Sequence, residues 1–280
     1  MLIASLVVFV STFILGTVIG SFLNVVVERG EKGAALTGRS HCDTCGTTLS
    51  WRELVPLASF VYQKGRCLHC GTVLSVQYLL IEIGTGLVFA AVAGSYFFDA
   101  LVRGDPMLFV STLVLLAVVA AMIVIIVADF NYHIIPNGPV LFLFISGIVI
   151  SLVRNGIVCV VQQGCVVSWS ALGMDVAMSI CTVAFFFALW FLSKGRAMGF
   201  GDVKLIGVTS LLLGFPLSLV AFVFAFWLGG IAGVVLLLAR TRGLKSEIAF
   251  GPFIIGGAVL AFFLGHAFLV VSGFSGFLSF

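Results

Sequence analysis

Two aspartates occur in an apolar chain at places where a charge is hard to accommodate. Asp129 follows a long apolar run, in IVADFNYHIIPN, and Asp202 precedes another, in GFGDVKL. An acid inside or beside a membrane span is costly and usually serves a function. Two carboxylates brought close together share a proton, because both cannot ionise at short range. One of them could then activate water while the other polarises a carbonyl, which is the chemistry of peptide hydrolysis.

A structural role is the alternative for these acids. Asp129 and Asp202 would then be ordinary interfacial residues that pair with Lys204 or cap helices. Glu82 and Asp175 also fall within predicted spans, Glu82 without an obvious partner and Asp175 near the outer end of its span. For these last two acids we expect a structural role rather than a catalytic one.

The backbone beside both candidate acids is predicted to leave the helical conformation. Gly199 and Gly201 give irregular backbone just before Asp202, which is tolerated at membrane depth only where it lines a wet cavity or is buried in protein. Pro136 ends an extended segment after Asp129 and permits the next helix to begin. An extended substrate strand could bind at such a place.

Four cysteines form two close pairs in one polar segment. HCDTCG and CLHCG contain the pairs Cys42 with Cys45 and Cys67 with Cys70, and 21 residues separate the pairs. Four thiolates at this spacing match a tetrahedral zinc site, and since no ligand position is left for water the zinc is expected to be structural. A glycine follows each pair, as expected where the chain must turn tightly.

The other cysteines and the neighbouring histidines carry no such pattern. Cys159 and Cys165 fall in a predicted outer loop, where a disulfide and two free thiols are both open interpretations. Cys181 is most simply a small buried residue of a span. His41 and His69 adjoin the paired cysteines, and we expect that neither histidine binds the metal.

The composition of the chain indicates that all these residues belong to a membrane protein. The chain of 280 residues is 61% hydrophobic and 9% charged, with a mean hydropathy of +1.28, whereas a soluble domain has about 25% charged residues. Continuous apolar runs predict an all-α polytopic membrane protein, because a transmembrane barrel needs alternating apolar and polar residues. The runs indicate about eight transmembrane helices, at about 2–27, 77–98, 107–128, 134–153, 171–192, 203–214, 216–239 and 250–272.

The basic residues predict the orientation of the spans. Lys and Arg collect on the cytoplasmic side, and with eight spans twelve of the fourteen fall in 28–76, 193–204 and 240–247. Both termini are then predicted to lie outside the cell, with the two aspartates at the cytoplasmic face.

Three parts of the chain are predicted from this arrangement. Residues 1–27 form a first transmembrane helix, which lacks the basic n-region of a signal peptide and is therefore expected to be retained. Residues 28–76 form a cytoplasmic zinc-binding domain. A segment of this size is too small to build a full apolar core and needs a cross-link such as a bound metal. Residues 77–280 form the transmembrane core that carries both aspartates.

Six short motifs occur in a fixed order along nearly the whole chain. They are GSFLNVVVER at 20–29, the four-cysteine loop with VPLASFVYQKGRC, QYLLIE at 77–82, DFNYHIIP, GFGD, and FGPFIIGG at 250–257. In this order they resemble the motifs of the type IV prepilin peptidases, which are bifunctional leader peptidase/N-methyltransferases of bacterial inner membranes. GxGD alone is a weak signal, whereas six motifs in the right order are specific.

The resemblance implies an aspartic endopeptidase that acts at the cytoplasmic face. Such an enzyme removes the leader of prepilins or pseudopilins after a glycine and then methylates the new N-terminal residue, usually Phe, from S-adenosylmethionine. By motif matching, Asp129 and Asp202 are the catalytic pair. The supporting motif residues are Gly199, Gly201, Lys204, Pro136 and Glu82. Pilin-type substrates and the lipid bilayer are the expected partners, and no nucleic acid is expected.

The chain departs from the family pattern at two positions. Asp43 stands where a proline is frequent in the first cysteine pair, and Asn137 stands where an aspartate often follows Ile-Pro. Neither change removes a ligand or a catalytic acid, so activity is expected to be intact. The methyltransferase activity rests on the resemblance and on the N-terminal cytoplasmic loop, since the sequence has no glycine-rich nucleotide loop of the Rossmann type.

Two other functions fit parts of the pattern. One is a transporter or channel with a zinc-stabilised cytoplasmic loop, whose acids relay protons or cations. The other is a presenilin-like protease that cuts within membrane spans, because the GxGD motif also resembles that of presenilin-like enzymes. The cysteine loop favours the pilin-type interpretation over the presenilin-like one, because a cytoplasmic domain suits a substrate whose leader stays inside the cell.

Overall fold

The computed structural model describes residues 2–31, 33, 35–155, 169–196, 198–239 and 249–273, and the statements below concern these residues. Cys159 and Cys165 lie outside them, as do the basic residues Arg240, Arg242 and Lys245 that contributed to the predicted orientation. The ordered elements of the described part are almost all helices, together with two isolated antiparallel bridges.

The described helices follow one another along the chain with short connections. They are α1 Leu2–Glu31, a 3-10 helix Trp51–Glu53, α2 Ala58–Tyr62, α3 Val76–Arg103, α4 Pro106–Tyr132, α5 Asn137–Arg154, α6 Trp169–Leu192, α7 Phe200–Leu213, α8 Leu217–Leu238 and α9 Gly251–Val271.

Seven of the described helices are long and apolar enough to cross a membrane: α1, α3, α4, α5, α6, α8 and α9. Each corresponds to one of the predicted spans. Leucine, valine, isoleucine, phenylalanine and alanine dominate these segments, and in lipid only a helix lets such a segment satisfy its own backbone. The predicted all-α polytopic fold class is confirmed.

The eighth predicted span, 203–214, forms a helix that is shorter than a membrane crossing. With 14 residues, α7 rises about 21 Å, whereas the apolar core of a bilayer is about 30 Å thick. It packs against α5, α6, α8 and α9, and nine of its residues are buried. The beginning of α7 is bonded to Asn137 at the start of α5, and its end is bonded to Arg154 at the end of α5. The eighth predicted span is therefore a short helix that runs alongside α5 and is covered by other helices. The predicted break after it is confirmed, because α7 ends at Leu213 and α8 begins at Leu217.

The chain divides into two compact units, Met1–Val127 and Ala128–Phe280. The first contains α1, the cysteine segment, α2, α3 and most of α4. The second contains the last turn of α4 and the helices α5 to α9.

Small residues determine the packing of α1 on α3 in the first unit. A Cβ on Gly16 would lie 2.8 Å from the Cα of Gly86, so only glycines allow the two backbones to approach this closely. Phe89 and Val92 of α3 pack with Leu116 of α4 in a buried cluster. The three long helices of this unit thus share one apolar interior.

The second unit is built around α7 and the pair α8–α9. Phe224 and Ala221 of α8 pack against Ala258 and Ala261 of α9 in a buried apolar cluster. Because α7 lies against four other helices of this unit, its polar residues contact protein rather than lipid. Because protein surrounds α7, an aspartate near the N-terminus of this helix costs less free energy than it would in lipid.

The segment between α1 and α3 has almost no apolar interior of its own. Among residues 35–75 only Glu53, Gln63 and Cys67 are buried. Arg29, at the end of α1, donates hydrogen bonds to the carbonyls of five successive residues, 35 to 39. With so little buried apolar surface, this segment needs another source of stability.

Candidate active site and metal centre

Asp129 lies in the last turn of α4 and is only 5% exposed. The backbone N–H of Gly251, the first residue of α9, donates a hydrogen bond of 2.8 Å to Asp129 Oδ2. The helix continues to Tyr132, so the backbone at Asp129 is still helical and the extended segment begins only after it. The extended segment predicted after Asp129 therefore begins three residues later, after Tyr132.

Asp202 is the third residue of α7 and is 9% exposed. Gly199 precedes the helix with an extended backbone, and its N–H donates a hydrogen bond of 3.1 Å to Asp202 Oδ2. The irregular backbone predicted at Gly199 is therefore present. Gly201, in contrast, is helical, and its role is steric: a Cβ there would lie 3.0 Å from the Cβ of Ile135.

The structure brings the two aspartates together within the second unit. Asp129 and Asp202 are close enough for their charges to repel each other. One oxygen of each carboxylate accepts a backbone N–H at the beginning of a helix, α9 for Asp129 and α7 for Asp202. Both aspartates therefore bind the N-terminus of a helix, as the structural alternative of helix capping predicted. Capping alone does not require two buried acids to lie close to each other, whereas water activation by an acid pair does.

Two supporting motif residues lie on elements next to this pair. Lys204 Nζ donates a hydrogen bond of 3.1 Å to Asn137 Oδ1 and lies 5.0 Å from the centre of the Phe200 ring. Pro136 has extended backbone and directly precedes α5, as its position in the sequence predicted. Asn137, where relatives often have an aspartate, is therefore joined to α7 by a hydrogen bond.

Gly251 is the residue of this site that sequence reasoning missed. A Cβ at this position would lie 2.6 Å from Asp129 Oδ2, so the close approach of backbone and carboxylate requires a glycine. Gly251 belongs to the motif FGPFIIGG, but nothing in that motif indicates a contact with a residue 122 positions away.

Glu82 has a partner that the sequence did not reveal. Its side chain is buried, and Oε2 accepts a hydrogen bond of 2.8 Å from the backbone N–H of Leu57. Leu57 has φ +60°, which is unfavourable for a leucine. Glu82 therefore fixes a strained turn of the cysteine segment against α3.

Asp175 holds three elements together at the other end of α7. Its carboxylate accepts hydrogen bonds from Arg154 Nη2 at 2.6 Å, from Asn155 Nδ2 at 3.0 Å and from the N–H of Phe215 at 2.8 Å. Arg154 also donates to the carbonyls of Leu212 and Leu213, the last residues of α7. These contacts match the structural role that we expected for Asp175.

The four paired cysteines converge on one point. Their Sγ atoms all lie within 4.8 Å of one another, and those of Cys42 and Cys70 are 3.8 Å apart. Four sulfurs at the Zn–S distance of about 2.3 Å from one ion are separated by about 3.8 Å in a tetrahedron. The cluster therefore has the size of a metal site.

The two cysteine turns have the same backbone structure. In each, the N–H of the first cysteine donates to the carbonyl of a threonine five residues on, and the glycine after the second cysteine donates back to the first cysteine's carbonyl. Gly46 and Gly71 have φ +69° and +74°, a conformation that glycine adopts at little cost. The glycines predicted to allow tight turns are confirmed in that role.

Threonine hydroxyls favour the thiolate form of two of the cysteines. The Thr72 hydroxyl lies 3.3 Å from Cys70 Sγ and lowers the pKa of Cys70 to about 6. The Thr47 hydroxyl, 3.4 Å from Cys45 Sγ, lowers the pKa of Cys45 in the same way. Because the thiolate is the form that binds metal, both contacts favour metal binding at neutral pH.

The fold and these two sites define a polytopic α-helical membrane protein with a buried aspartate pair and a separate four-cysteine centre. The chain is similar to the type IV leader peptidase family. The profile of that family matches residues 116–234, which include both aspartates, and the profile of the bacterial peptidase A24 N-terminal domain matches residues 14–96, which include the four cysteines.

Several curated proteins are similar to this chain over most of its length. A prepilin leader peptidase/N-methyltransferase of Bacillus subtilis is 29% identical over 92% of this chain and 94% of its own length. Proteins of the same name from Myxococcus xanthus and Pseudomonas putida are 29% and 27% identical, over 84% and 86% of this chain and 65% and 85% of their own lengths. No solved structure matches this protein.

Proposed function

We propose that this protein is an aspartic endopeptidase that cleaves the leader of type IV prepilins or type II secretion pseudopilins after a glycine, and that it then N-methylates the new N-terminal residue. The observation that carries the proposal is the buried pair Asp129 and Asp202, each held by one backbone N–H. The names of the similar proteins support the two activities and the kind of substrate.

The geometry of the pair suits hydrolysis without a covalent intermediate. Two neighbouring carboxylates share one proton, so one of them is ionised and the other protonated. The ionised carboxylate takes a proton from water, and the water oxygen attacks the peptide carbonyl, whose oxygen accepts a hydrogen bond from the protonated carboxyl. The N–H groups of Gly199 and Gly251 hold the acids in place, so little reorganisation accompanies the reaction.

Two cofactors belong to this proposal. Zinc would be held by Cys42, Cys45, Cys67 and Cys70 and would stabilise the cysteine segment without taking part in hydrolysis. S-adenosylmethionine, the methyl donor, would supply an electrophilic methyl group for the amine of the new N-terminus.

The proposed location is the bacterial inner membrane, with both termini outside and the aspartates at the cytoplasmic face. The concentration of Lys and Arg in a few loops supports this orientation. A basic leader that stays in the cytoplasm would then reach the aspartate pair without crossing the membrane.

The proposal predicts that Asp129→Asn and Asp202→Asn each abolish leader cleavage. Without one carboxylate the pair cannot combine base and acid, and the rate should fall by about 10²–10⁴-fold. The purified enzyme would be incubated with a prepilin and S-adenosylmethionine, and the product mass would report loss of the leader and gain of a methyl group together.

Asp105→Asn provides the matched control for these variants. Asp105 is exposed at the beginning of α4, where its carboxylate accepts the N–H groups of Met107 and Leu108, and asparagine caps a helix as well as aspartate does. This variant should cleave at the normal rate. Normal cleavage by Asp129→Asn or Asp202→Asn would contradict the proposal, and transport that depends on the same acids without proteolysis would favour the transporter.

A further inference from the structure

A cavity of about 350 Å³ lies between the second half of α1, the beginning of α3 and the cysteine segment. All of the residues that line it belong to the first unit. Its volume is within the range of small-molecule sites, about 300–1,000 Å³. Cys42 and Cys67 of the four-cysteine cluster line one part of the cavity, and the aspartate pair is not among the residues that line it.

Asn24 on the wall of this cavity points to a missing ligand. The side chain is 7% exposed, and among the described residues its Nδ2 has no hydrogen-bond partner. A buried amide donor without a partner is costly, and native proteins rarely retain one without a reason. A ligand acceptor in the cavity would supply the partner.

The charges on the cavity wall favour a cationic ligand. Four acids line it, and among the described lining residues there is no lysine or arginine. Glu53 already accepts hydrogen bonds from Ser50 and contacts His69. Glu82 also lines the cavity and is buried, and its Oε2 accepts the N–H of Leu57.

The apolar part of the wall restricts the kind of cation. Val25, Leu54, Phe60 and Leu79 also line the cavity. A bare metal ion gains nothing from such side chains, whereas a cation with carbon substituents can use them together with the carboxylates. A sulfonium ion, with three carbon substituents on a positive sulfur, has this character.

We propose that this cavity is the methyl-transfer site, in which Asn24 and Glu82 bind a sulfonium methyl donor. The inference rests on the proposed methyltransferase activity and assigns it to particular residues. The buried Asn24 amide donates to the carboxylate of the donor's amino-acid part, and the negative charge of Glu82 stabilises its positive sulfur.

The transfer itself needs no further reagent. The ammonium of the new N-terminus first loses a proton to water. The electron pair of the neutral amine then forms a bond to the methyl carbon, while the carbon–sulfur bond breaks and leaves its electron pair on sulfur. The products are a secondary ammonium and a neutral thioether. The carboxylates of the cavity wall therefore bind the cationic sulfonium donor more tightly than the neutral thioether that it leaves.

Equilibrium dialysis of tritiated S-adenosylmethionine against the purified, metal-loaded full chain in detergent tests the assignment. Asn24→Leu, which removes the amide at similar volume, should raise the Kd about tenfold. Glu82→Gln retains an acceptor for the N–H of Leu57 and removes the charge. It should weaken S-adenosylmethionine binding about tenfold and leave the binding of neutral S-adenosylhomocysteine nearly unchanged.

Thr17→Val and Glu31→Gln are the matched controls. Thr17 is a buried polar residue of α1 and Glu31 an exposed acid at the end of α1, and neither lines the cavity. Both variants should bind as the wild type does. Thermal unfolding checks folding, and Asn24→Leu should unfold at the same or a higher temperature because an unpartnered amide is gone.

The outcomes separate this inference from the function on which it rests. If the wild type cleaves and methylates but both cavity variants bind S-adenosylmethionine with unchanged Kd, the inference is overturned and the proposed function stands. If a chain that cleaves prepilin shows no saturable binding at all, the inference and the methyltransferase part of the proposed function both fail, and the peptidase part stands. If the wild type neither cleaves nor methylates any prepilin offered, the proposed function itself fails.

Discussion

Two backbone N–H groups donate hydrogen bonds to the candidate acids. Gly199 holds Asp202, and Gly251 holds Asp129. A backbone donor is fixed by the helix to which it belongs, so each carboxylate has a defined place before substrate arrives. The positions of the two acids therefore depend on glycines that allow the backbone to come close.

At the scale of single residues we predict that Gly251→Ala impairs leader cleavage. The added Cβ would lie 2.6 Å from Asp129 Oδ2 and would displace the carboxylate or break its hydrogen bond. A displacement of about 1 Å can lower a rate by about 10²-fold. The measurement is the initial rate of prepilin cleavage by purified enzyme.

Gly230→Ala is the control for this change. Gly230 lies within α8, and a Cβ there would meet no atom within 4 Å. This variant should retain the wild-type rate, since alanine is the better helix former. Wild-type activity in Gly251→Ala would show that the contact with Asp129 does not matter for cleavage.

At the scale of elements, α7 is held at both ends. Asp202 accepts the N–H of Gly199 at its beginning, and the pair Arg154 and Asp175 binds its last carbonyls and the turn that follows. The positive guanidinium is favourable at the carboxyl end of a helix. A helix of this length, surrounded by four others, thus keeps a fixed position in the second unit.

We predict that Asp175→Asn lowers the stability of the second unit. The buried carboxylate accepts three hydrogen bonds, and a hydrogen bond to a charged group contributes about 1.5–3 kcal/mol. Since the Arg154 side chain is 36% exposed, we expect the loss near the lower end, about 1.5 kcal/mol. Unfolding of the detergent-solubilised protein would measure it.

Glu31→Gln serves as the comparison for the loss of one negative charge. Glu31 is exposed at the end of α1, so its replacement should change the stability by less than about 0.5 kcal/mol. If Asp175→Asn unfolds at the same temperature as this control, the contacts at the end of α7 contribute nothing measurable.

At the scale of the whole molecule, the two candidate centres have different sources of stability. The aspartates lie in a unit held by helix packing, whereas the cysteine segment has three buried side chains among residues 35–75 and two of those are polar. A segment of this kind gains its folding free energy from metal binding. Loss of the metal should therefore affect this segment first.

We predict that a zinc chelator, or the change Cys67→Ser, makes residues 35–75 sensitive to a protease while the aspartate unit stays protected. Elemental analysis should find about one zinc per chain in the wild type and much less in the variant. Limited proteolysis followed by mass measurement would locate the cuts.

Cys181→Ser is the control among the cysteines. Cys181 lies on α6 and is exposed, which contradicts the prediction that it is buried, and it does not belong to the four-cysteine cluster. It should retain both the metal and the resistance to protease. Full metal content in Cys67→Ser would exclude that cysteine as a ligand.

The sequence by itself determined the class of fold and the residue types of both centres. Long apolar runs can only form helices in lipid, and the helices of the described chain fall where those runs are. The Cys-x2-Cys spacing is local, so each pair of thiols and its glycine turn could be predicted from a few neighbouring residues. Asp129 and Asp202 stood out because charge is rare in such a chain.

Only the tertiary structure decided which distant groups meet. The N–H of Gly251 reaches Asp129 across 122 positions, and Arg154 binds both Asp175 and the end of α7. The apolar sequence of α7 indicated its position along the chain but not that four other helices surround it. Hydropathy reports how apolar a segment is, but whether protein or lipid covers it depends on how the helices pack.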